Sequence, residues 1–204
     1  ADGPGNIYNG VAVAADPKAQ GRGTLVSLND EFHYARNIVK TDTTSVQTFE
    51  SINRGPAGLV HTGTVEWFAP MDKKVGAQTE FSVDGLDKLP RVDILYAHAN
   101  MSADLIETAV KNGAKGIVVA GVGDGNMTTP ALDALKKAAT SGVVVVRSTR
   151  LAEGLTLRNN EVNDDEMGFV ASGELNPAKS RVLLQLALTK TKDPVEIQKT
   201  FYEY

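Results

Sequence analysis

An α/β fold, with parallel sheets flanked by helices, is predicted by three features of this 204-residue sequence. Nearly continuous apolar runs rich in Val and Ile recur at 92–97, 117–120, 143–146 and 169–171. Such runs suit strands buried on both faces, as in a parallel sheet. Segments with helical spacing separate them, the alternation expected of an α/β chain. Helix starts are marked by a capping residue followed by proline, at Thr129-Pro130, Asn176-Pro177 and Asp193-Pro194. Proline fits there because the first helical position needs no amide hydrogen.

In chain order, residues 1–4 suggest a loop and 6–16 a helix. Residues 23–28 suggest a buried strand running into Asn29-Asp30. The stretch 44–51 is helical or irregular, and 59–68 is a hairpin turning near Thr62-Gly63. Residues 69–90 are polar and lack periodicity up to Leu89-Pro90, which marks a linker. After the strand at 92–97, Ser102 is placed to cap a helix with Leu105, Ile106, Ala109 and Val110 on one face, and Gly113 stops it. The helix from Thr129 places Leu132, Leu135 and Ala138 at helical spacing. Two helices close the chain; Glu196 completes a capping-box pattern with Asp193, and Ile197 and Phe201 share a face. The division expected is 1–68, a linker at 69–90, and a second α/β domain at 91–204. One strand, one or two helices and a hairpin make a poor domain alone, so the first part is expected to need a missing partner.

Composition narrows the function classes. Hydrophobic content of 42% and charged content of 23% are ordinary for a globular chain. A net charge of −4 lacks the basic footprint that nucleic acid requires. No apolar run is long enough to span a membrane; the longest, at 182–188, is broken by Gln185. With no cysteine, disulfides, thiolate catalysis and Cys-based zinc sites are excluded. The three histidines show no local metal-ligand spacing, so no metal is expected. No signal-peptide pattern opens the sequence.

The segment from Gly116 to Pro130 combines a strand, a glycine-rich turn and a helix start. In an open parallel sheet ligands dock at such a junction. Gly121, Gly123 and Gly125 permit close backbone approach, and Asp124 and Asn126 can hold a polar group. A tight connection with no ligand explains the same residues. The glycine spacing is G-x-G-x-G, which is not the dinucleotide fingerprint, and no Lys-Ser/Thr pair follows to make a P-loop. Lys40, beside hydroxyl residues, suits either an acid–base group or a solvated surface lysine. Residues 158–166 are expected to form an exposed acidic loop, in which a carboxylate such as Glu161 presented with an amide could grip an ammonium group. No Ser-His-Asp ordering stands out.

Taken together, several segments resemble the bacterial type II L-asparaginase family. They are Ala1-Asp-Gly-Pro with Asn6, Tyr8 and Asn9; Arg22-Gly-Thr-Leu-Val with Asn29-Asp30; and Arg36 with Lys40-Thr41. The similarity continues through Val92-Asp-Ile-Leu-Tyr96, Ala120-Gly-Val-Gly-Asp-Gly-Asn126, Val146-Arg-Ser-Thr-Arg150 and Leu175-Asn-Pro into the following helix. It runs the length of the chain in order.

The resemblance implies two α/β domains, the end of an N-terminal asparaginase domain and a complete, smaller, flavodoxin-like C-terminal one. It implies hydrolysis of L-asparagine to L-aspartate and ammonia, with some glutamine hydrolysis, through a threonine acyl-enzyme and without a cofactor. It further implies a homotetramer built from two intimate dimers, and a periplasmic location. By resemblance, Lys40 is the lysine that supports a second catalytic threonine. Asn126 and Glu161 are binding residues lent to a neighbouring subunit, Glu161 lying near the substrate's α-amino group. Family members with strong glutaminase activity often carry serine at the position of Asn126, which favours asparagine here. Gly5 and Asp124 depart from the usual family residues. Two family motifs do not occur in the sequence: Thr-Gly-Gly-Thr-Ile-Ala, which holds the nucleophile, and His-Gly-Thr-Asp. The chain is therefore expected to lack roughly the first third of a two-domain family member, and to be inactive alone. A non-catalytic amino-acid-binding or interaction module is the alternative.

Overall fold

A computed structural model describes residues 3–204. Its residues fall into two compact units, Ala1–Glu80 together with Tyr204, and Phe81–Glu203. Ala1 and Asp2 of the expected N-terminal loop lie outside the described residues. Gly3 and Pro4 correct the rest of that expectation, because helix α1 already spans Gly3–Ala15.

In the first unit, α1 packs on an antiparallel sheet of order β1-β2-β5-β6. The strands are β1 (Leu25–Leu28), β2 (Glu31–Tyr34), β5 (Gly58–His61) and β6 (Thr64–Trp67). A separate two-stranded ribbon, β3 (Val39–Lys40) with β4 (Phe49–Glu50), lies between them in sequence. Asn29 and Asp30 both take positive φ, 50° and 59°, and turn β1 directly into β2. Thr62 and Gly63 do the same between β5 and β6, at 47° and 83°, where the hairpin was expected. Two consecutive left-handed residues match the right-handed twist of the flanking strands.

The sequence had suggested only one strand before that hairpin, and a buried one. β1 is half-buried along its length, and β2 was missed. The core here is Val13, Phe32, Tyr34, Ala57 and Val60, with the Trp67 ring edge-on to Phe32 at 4.7 Å. Gly58 is required for this packing: an added Cβ would sit 2.2 Å from Phe32 Cζ and 2.2 Å from the Glu66 carbonyl oxygen. Residues 69–90 carry no helix or strand apart from a 3-10 turn, Gly76–Gln78.

The second unit is the predicted parallel sheet, in the order β10-β9-β8-β7. Its strands are β7 (Val92–Tyr96), β8 (Gly116–Gly121), β9 (Val144–Thr149) and β10 (Phe169–Ala171), all paired in parallel. Every residue of β8 and β9 is buried. Residues Ile117, Val119 and Val145 pack with Ile106 and Ala109 of α2 (Asp104–Lys111) and with Ala131, Leu135 and Ala138 of α3 (Thr129–Thr140). On the opposite face α5 (Pro177–Ala187) sets Leu184 against Gly116, where a Cβ would come within 2.6 Å. A short helix, α4 (Asp164–Met167), precedes β10, and α6 (Pro194–Glu203) packs on β10.

The helix starts follow their predicted chemistry only in part: α3 does begin at Thr129, but Thr128 holds its capping position and makes no side-chain cap bond. Asn176 caps α5 by accepting from Lys179 N at 3.0 Å. Asp193 accepts from Val195 N at 2.9 Å, but its own amide donates to Thr191 Oγ1, which takes the role expected of Glu196. Ser102 does not cap α2: its hydroxyl donates to Asp104 Oδ1, and Ala103 is the capping position.

Candidate functional site

The candidate site stands at the carboxyl ends of the second unit's parallel strands. β8 ends at Gly121, and the chain folds back at once. Val122 N donates to the Asn126 carbonyl and Asn126 N to the Val122 carbonyl, both at 2.8 Å, closing a miniature hairpin. Gly123 and Gly125 take φ of 53° and 75°, as such a turn demands. Gly121 is required for a different reason. A Cβ there would lie 2.4 Å from the Gly125 carbonyl carbon, so the turn packs directly on the strand it leaves.

The hairpin presents Asn126 to solvent with its side chain already oriented. Asn126 Oδ1 accepts from Met127 N at 2.7 Å, which leaves Nδ2 to donate to Glu161 Oε2 at 3.2 Å. Glu161 is exposed, while Val162 beside it is buried in the core next to α3 and fixes the backbone from which Glu161 projects. The pair is therefore an amide and a carboxylate held side by side across 35 residues of sequence. Such a pair offers acceptor oxygens and negative charge to an ammonium group, and an amide to a carbonyl or carboxylate.

The segment that carries Glu161 is tied to the hairpin at several points. Asp124 accepts from Leu157 N at 2.6 Å through one carboxylate oxygen and from Asn160 Nδ2 at 2.7 Å through the other. Asp164 overturns the expectation of an exposed acidic loop over 158–166. It is fully buried, and both its oxygens meet the equally buried guanidinium of Arg147, from Nε and Nη2 at 2.7 Å each. A buried carboxylate needs such a partner because desolvating an unpaired charge is costly. Asp165 does face solvent. Hydrogen bonds from Asn159 and then Arg158 hold its carboxyl below the usual carboxylate range.

Arg147 is the residue that sequence reasoning missed. The available signal was a lone charge directly after the apolar run 143–146, within a strand that extends to Thr149. Arg150, on the same strand end, donates to the Ala97 carbonyl at 3.0 Å and lies over the Tyr96 ring.

Lys40 belongs to the first unit and is not among these groups. It sits on β3, exposed, with its ammonium 5.8 Å from the centre of the Phe49 ring. Thr41 next to it donates through its hydroxyl to the Thr48 carbonyl at 2.9 Å. Among the described residues no cluster of His, Asp and Glu is arranged to hold a metal ion, and no helix is long and apolar enough to cross a membrane.

Comparison with known proteins agrees with both units. Residues 91–201 match the family described as Glutaminase/Asparaginase C-terminal domain, and residues 1–73 match Asparaginase, N-terminal. The chain is 51% identical over all 204 residues to a Haemophilus influenzae protein named "Probable L-asparaginase periplasmic", of which it covers 58%. It is 48% identical to L-asparaginase 2 of Escherichia coli, covering 59% of that protein. It is 38% identical over 205 residues to a Glutaminase-asparaginase of Pseudomonas fluorescens, covering 56%. In each case the whole chain is matched, while the chain spans less than two thirds of the relative's length. With its larger unit matched almost from end to end, this chain belongs to the glutaminase/asparaginase family.

Proposed function

We propose that this chain supplies the substrate-recognising wall and one supporting catalytic group of an L-asparaginase, an amidohydrolase that releases ammonia from L-asparagine and, more weakly, from L-glutamine. The observation that carries the reading is the Asn126–Glu161 pair at the carboxyl ends of β8–β10, in a chain of this family. Glu161 holds the α-ammonium of the substrate. Asn126 orients Glu161 and donates to the substrate's polar end. Lys40 supports the basicity of a second threonine. The nucleophilic threonine comes from a motif that does not occur in these 204 residues. Its hydroxyl attacks the side-chain amide carbon, ammonia departs, and water hydrolyses the acyl-enzyme. A polar cradle must stabilise the oxyanion formed on the way.

In this reading residues 1–68 and 91–204 are parts of two domains joined by 69–90. The complete protein is a homotetramer of two intimate dimers, in which Asn126 and Glu161 face a neighbouring copy's site. It works in the periplasm, as the name of the Haemophilus relative states for that protein.

Two measurements test the proposal. The 204-residue chain alone should release no ammonia from asparagine; turnover at an ordinary enzyme rate, about 1 to 10³ s⁻¹, would overturn the assignment of the nucleophile. In the complete protein, Glu161→Ala should weaken L-aspartate binding by calorimetry at least about tenfold, equivalent to about 1.4 kcal/mol. Unchanged affinity would remove Glu161 from the site.

A further inference from the structure

We propose that Arg147 is a positioning residue for substrate recognition, holding the Asn126 hairpin and the Glu161 segment in one fixed relation. The inference rests on the assignment of Asn126 and Glu161 as the amino-acid-binding pair.

Arginine has five N–H donors in a rigid fork, and at Arg147 each finds an acceptor. Nε donates to Asp164 Oδ1 at 2.7 Å. Nη2 donates to Asp164 Oδ2 at 2.7 Å and to the Leu157 carbonyl at 2.9 Å. Nη1 donates to the Asp124 carbonyl at 2.7 Å and to the Gly125 carbonyl at 3.4 Å. These acceptors belong to two segments, the glycine hairpin at 121–126 and the stretch 157–164. Asn126 directly follows the first set of carbonyls, and Glu161 lies between Leu157 and Asp164.

The lock is closed from the other side as well. Asp164 Oδ2 also accepts from Asn159 N at 2.8 Å, and Asn159 takes a positive φ of 56°. Asp124, whose carbonyl takes Nη1, uses both carboxylate oxygens on Leu157 N and Asn160 Nδ2. The close fit shows at Gly125, where a Cβ would lie 2.9 Å from Arg147 Nη1 and 2.9 Å from Thr156 Cγ2.

Arg147 is fully buried on the strand and touches neither Asn126 nor Glu161 by any of these bonds. Its effect on recognition is therefore indirect. Asn126 and Glu161 are exposed and share only one direct hydrogen bond, of 3.2 Å. An exposed hydrogen bond by itself contributes too little to fix two loops against their lost freedom. The buried guanidinium supplies that order, since a fully satisfied buried network holds a single arrangement.

The test uses the complete protein and five variants: Arg147→Lys, Asp124→Ala, Glu161→Ala, and Glu161→Ala combined with each of the first two. Lysine keeps the charge but has three donors without the planar fork, so it should not rescue. Misplacing a substrate-holding group by about an ångström costs up to about a hundredfold. Arg147→Lys and Asp124→Ala should each weaken L-aspartate binding and raise KM for asparagine about tenfold, with kcat changing less than about threefold. In the Glu161→Ala background the same changes should add little, because they act through Glu161.

A fall in thermal stability with unchanged aspartate affinity would overturn the proposal and leave Arg147 as a purely structural ion pair. So would full additivity with Glu161→Ala. If Arg147→Lys fails to fold, Asp124→Ala, which removes the carboxylate ties to Leu157 N and Asn160 Nδ2 and leaves Arg147 in place, still tests whether locking the hairpin to the 157–164 stretch sets aspartate affinity. If Glu161→Ala alone leaves aspartate affinity unchanged, the assignment of the binding pair itself has failed, and this inference falls with it.

Discussion

The two sheets of this chain are built on opposite plans. In the second unit β8 and β9 are buried at every residue, with α2 and α3 on one face and α5 on the other. In the first unit no residue of β1 or β6 is fully buried, and α1 leaves Ile7, Tyr8 and Val11 largely exposed. A parallel sheet carries its own cover because each crossover lays a helix on a face. An antiparallel sheet of hairpins brings none, and depends on one helix and a small cluster around Phe32. The unit with the self-covered sheet holds the oriented Asn126–Glu161 pair; the other holds Lys40 on a two-stranded ribbon. Precise loops need a rigid scaffold beneath them, and only the second unit provides one from its own residues.

The largest difference expected from this contrast is in hydrogen exchange. Amides of β8 and β9 should exchange at least about a thousandfold more slowly than those of β1 and β6, since protection scales with the free energy of local opening. Equal protection would show that the first sheet is as secure as the second. Core truncations come next. Phe32→Ala should cost about 3–5 kcal/mol and abolish the calorimetric transition of the first unit. Leu135→Ala, about 2–5 kcal/mol, should lower the second unit's transition and leave it cooperative. A surviving first transition in Phe32→Ala would break the comparison.

Smaller effects are expected from glycine replacement. Gly121→Ala forces a Cβ against the Gly125 backbone, and should cost about 1–3 kcal/mol by overpacking while displacing Asn126 and weakening aspartate binding. Gly58→Ala meets backbone and ring just as closely, yet should destabilise the first unit without touching aspartate affinity. A shared effect on binding would mean that the Asn126–Glu161 pair depends on more than the second unit's scaffold.

The smallest effect expected is a pH dependence. His33, on β2, is buried, with Nδ1 3.0 Å from Ser51 Oγ and Nε2 3.3 Å from Glu31 Oε2. Burial lowers its pKa below the ordinary value of 6.5, against the opposing pull of Glu31. The unfolded chain then binds the proton more readily than the folded one. The first unit's stability should be full above pH 6.5 and fall as pH drops from there through the folded pKa. His33→Gln should flatten that slope in thermal melts taken across the range. A slope unchanged by His33→Gln would assign the effect to other groups.

How much could be read in advance followed the same division. The four parallel strands showed as Val and Ile runs because both their faces are covered. β2 was hidden because Glu31-Phe32-His33-Tyr34 buries a histidine where an apolar residue is expected. Asn126 stood out by its glycines, whose spacing records a backbone requirement. Asp164 did not, because an acidic residue inside 158–166 looks solvated until its partner, 17 positions away, is known. Local chemistry such as capping, turns and glycine freedom is written beside the residue it serves. Charge burial is decided by tertiary neighbours; its local trace here is Arg147, a lone charge directly after the apolar run 143–146.

The five-way saturation of Arg147 also bears on how this wall can be re-engineered. Replacing Arg147 alone strands a buried carboxylate, and replacing Asp164 alone strands a buried guanidinium; either break costs about 3–5 kcal/mol. A library that randomises one position at a time will therefore find both sites intolerant and score them as immutable. Paired libraries at 147 and 164 open a different path, provided that the new pair keeps polar atoms for the Asp124, Gly125 and Leu157 carbonyls and the Asn159 amide, since each buried polar group left unpaired costs about 1–3 kcal/mol. At this buried pair, stable alternative loop geometries, and with them altered side-chain preferences at Asn126 and Glu161, require two simultaneous changes.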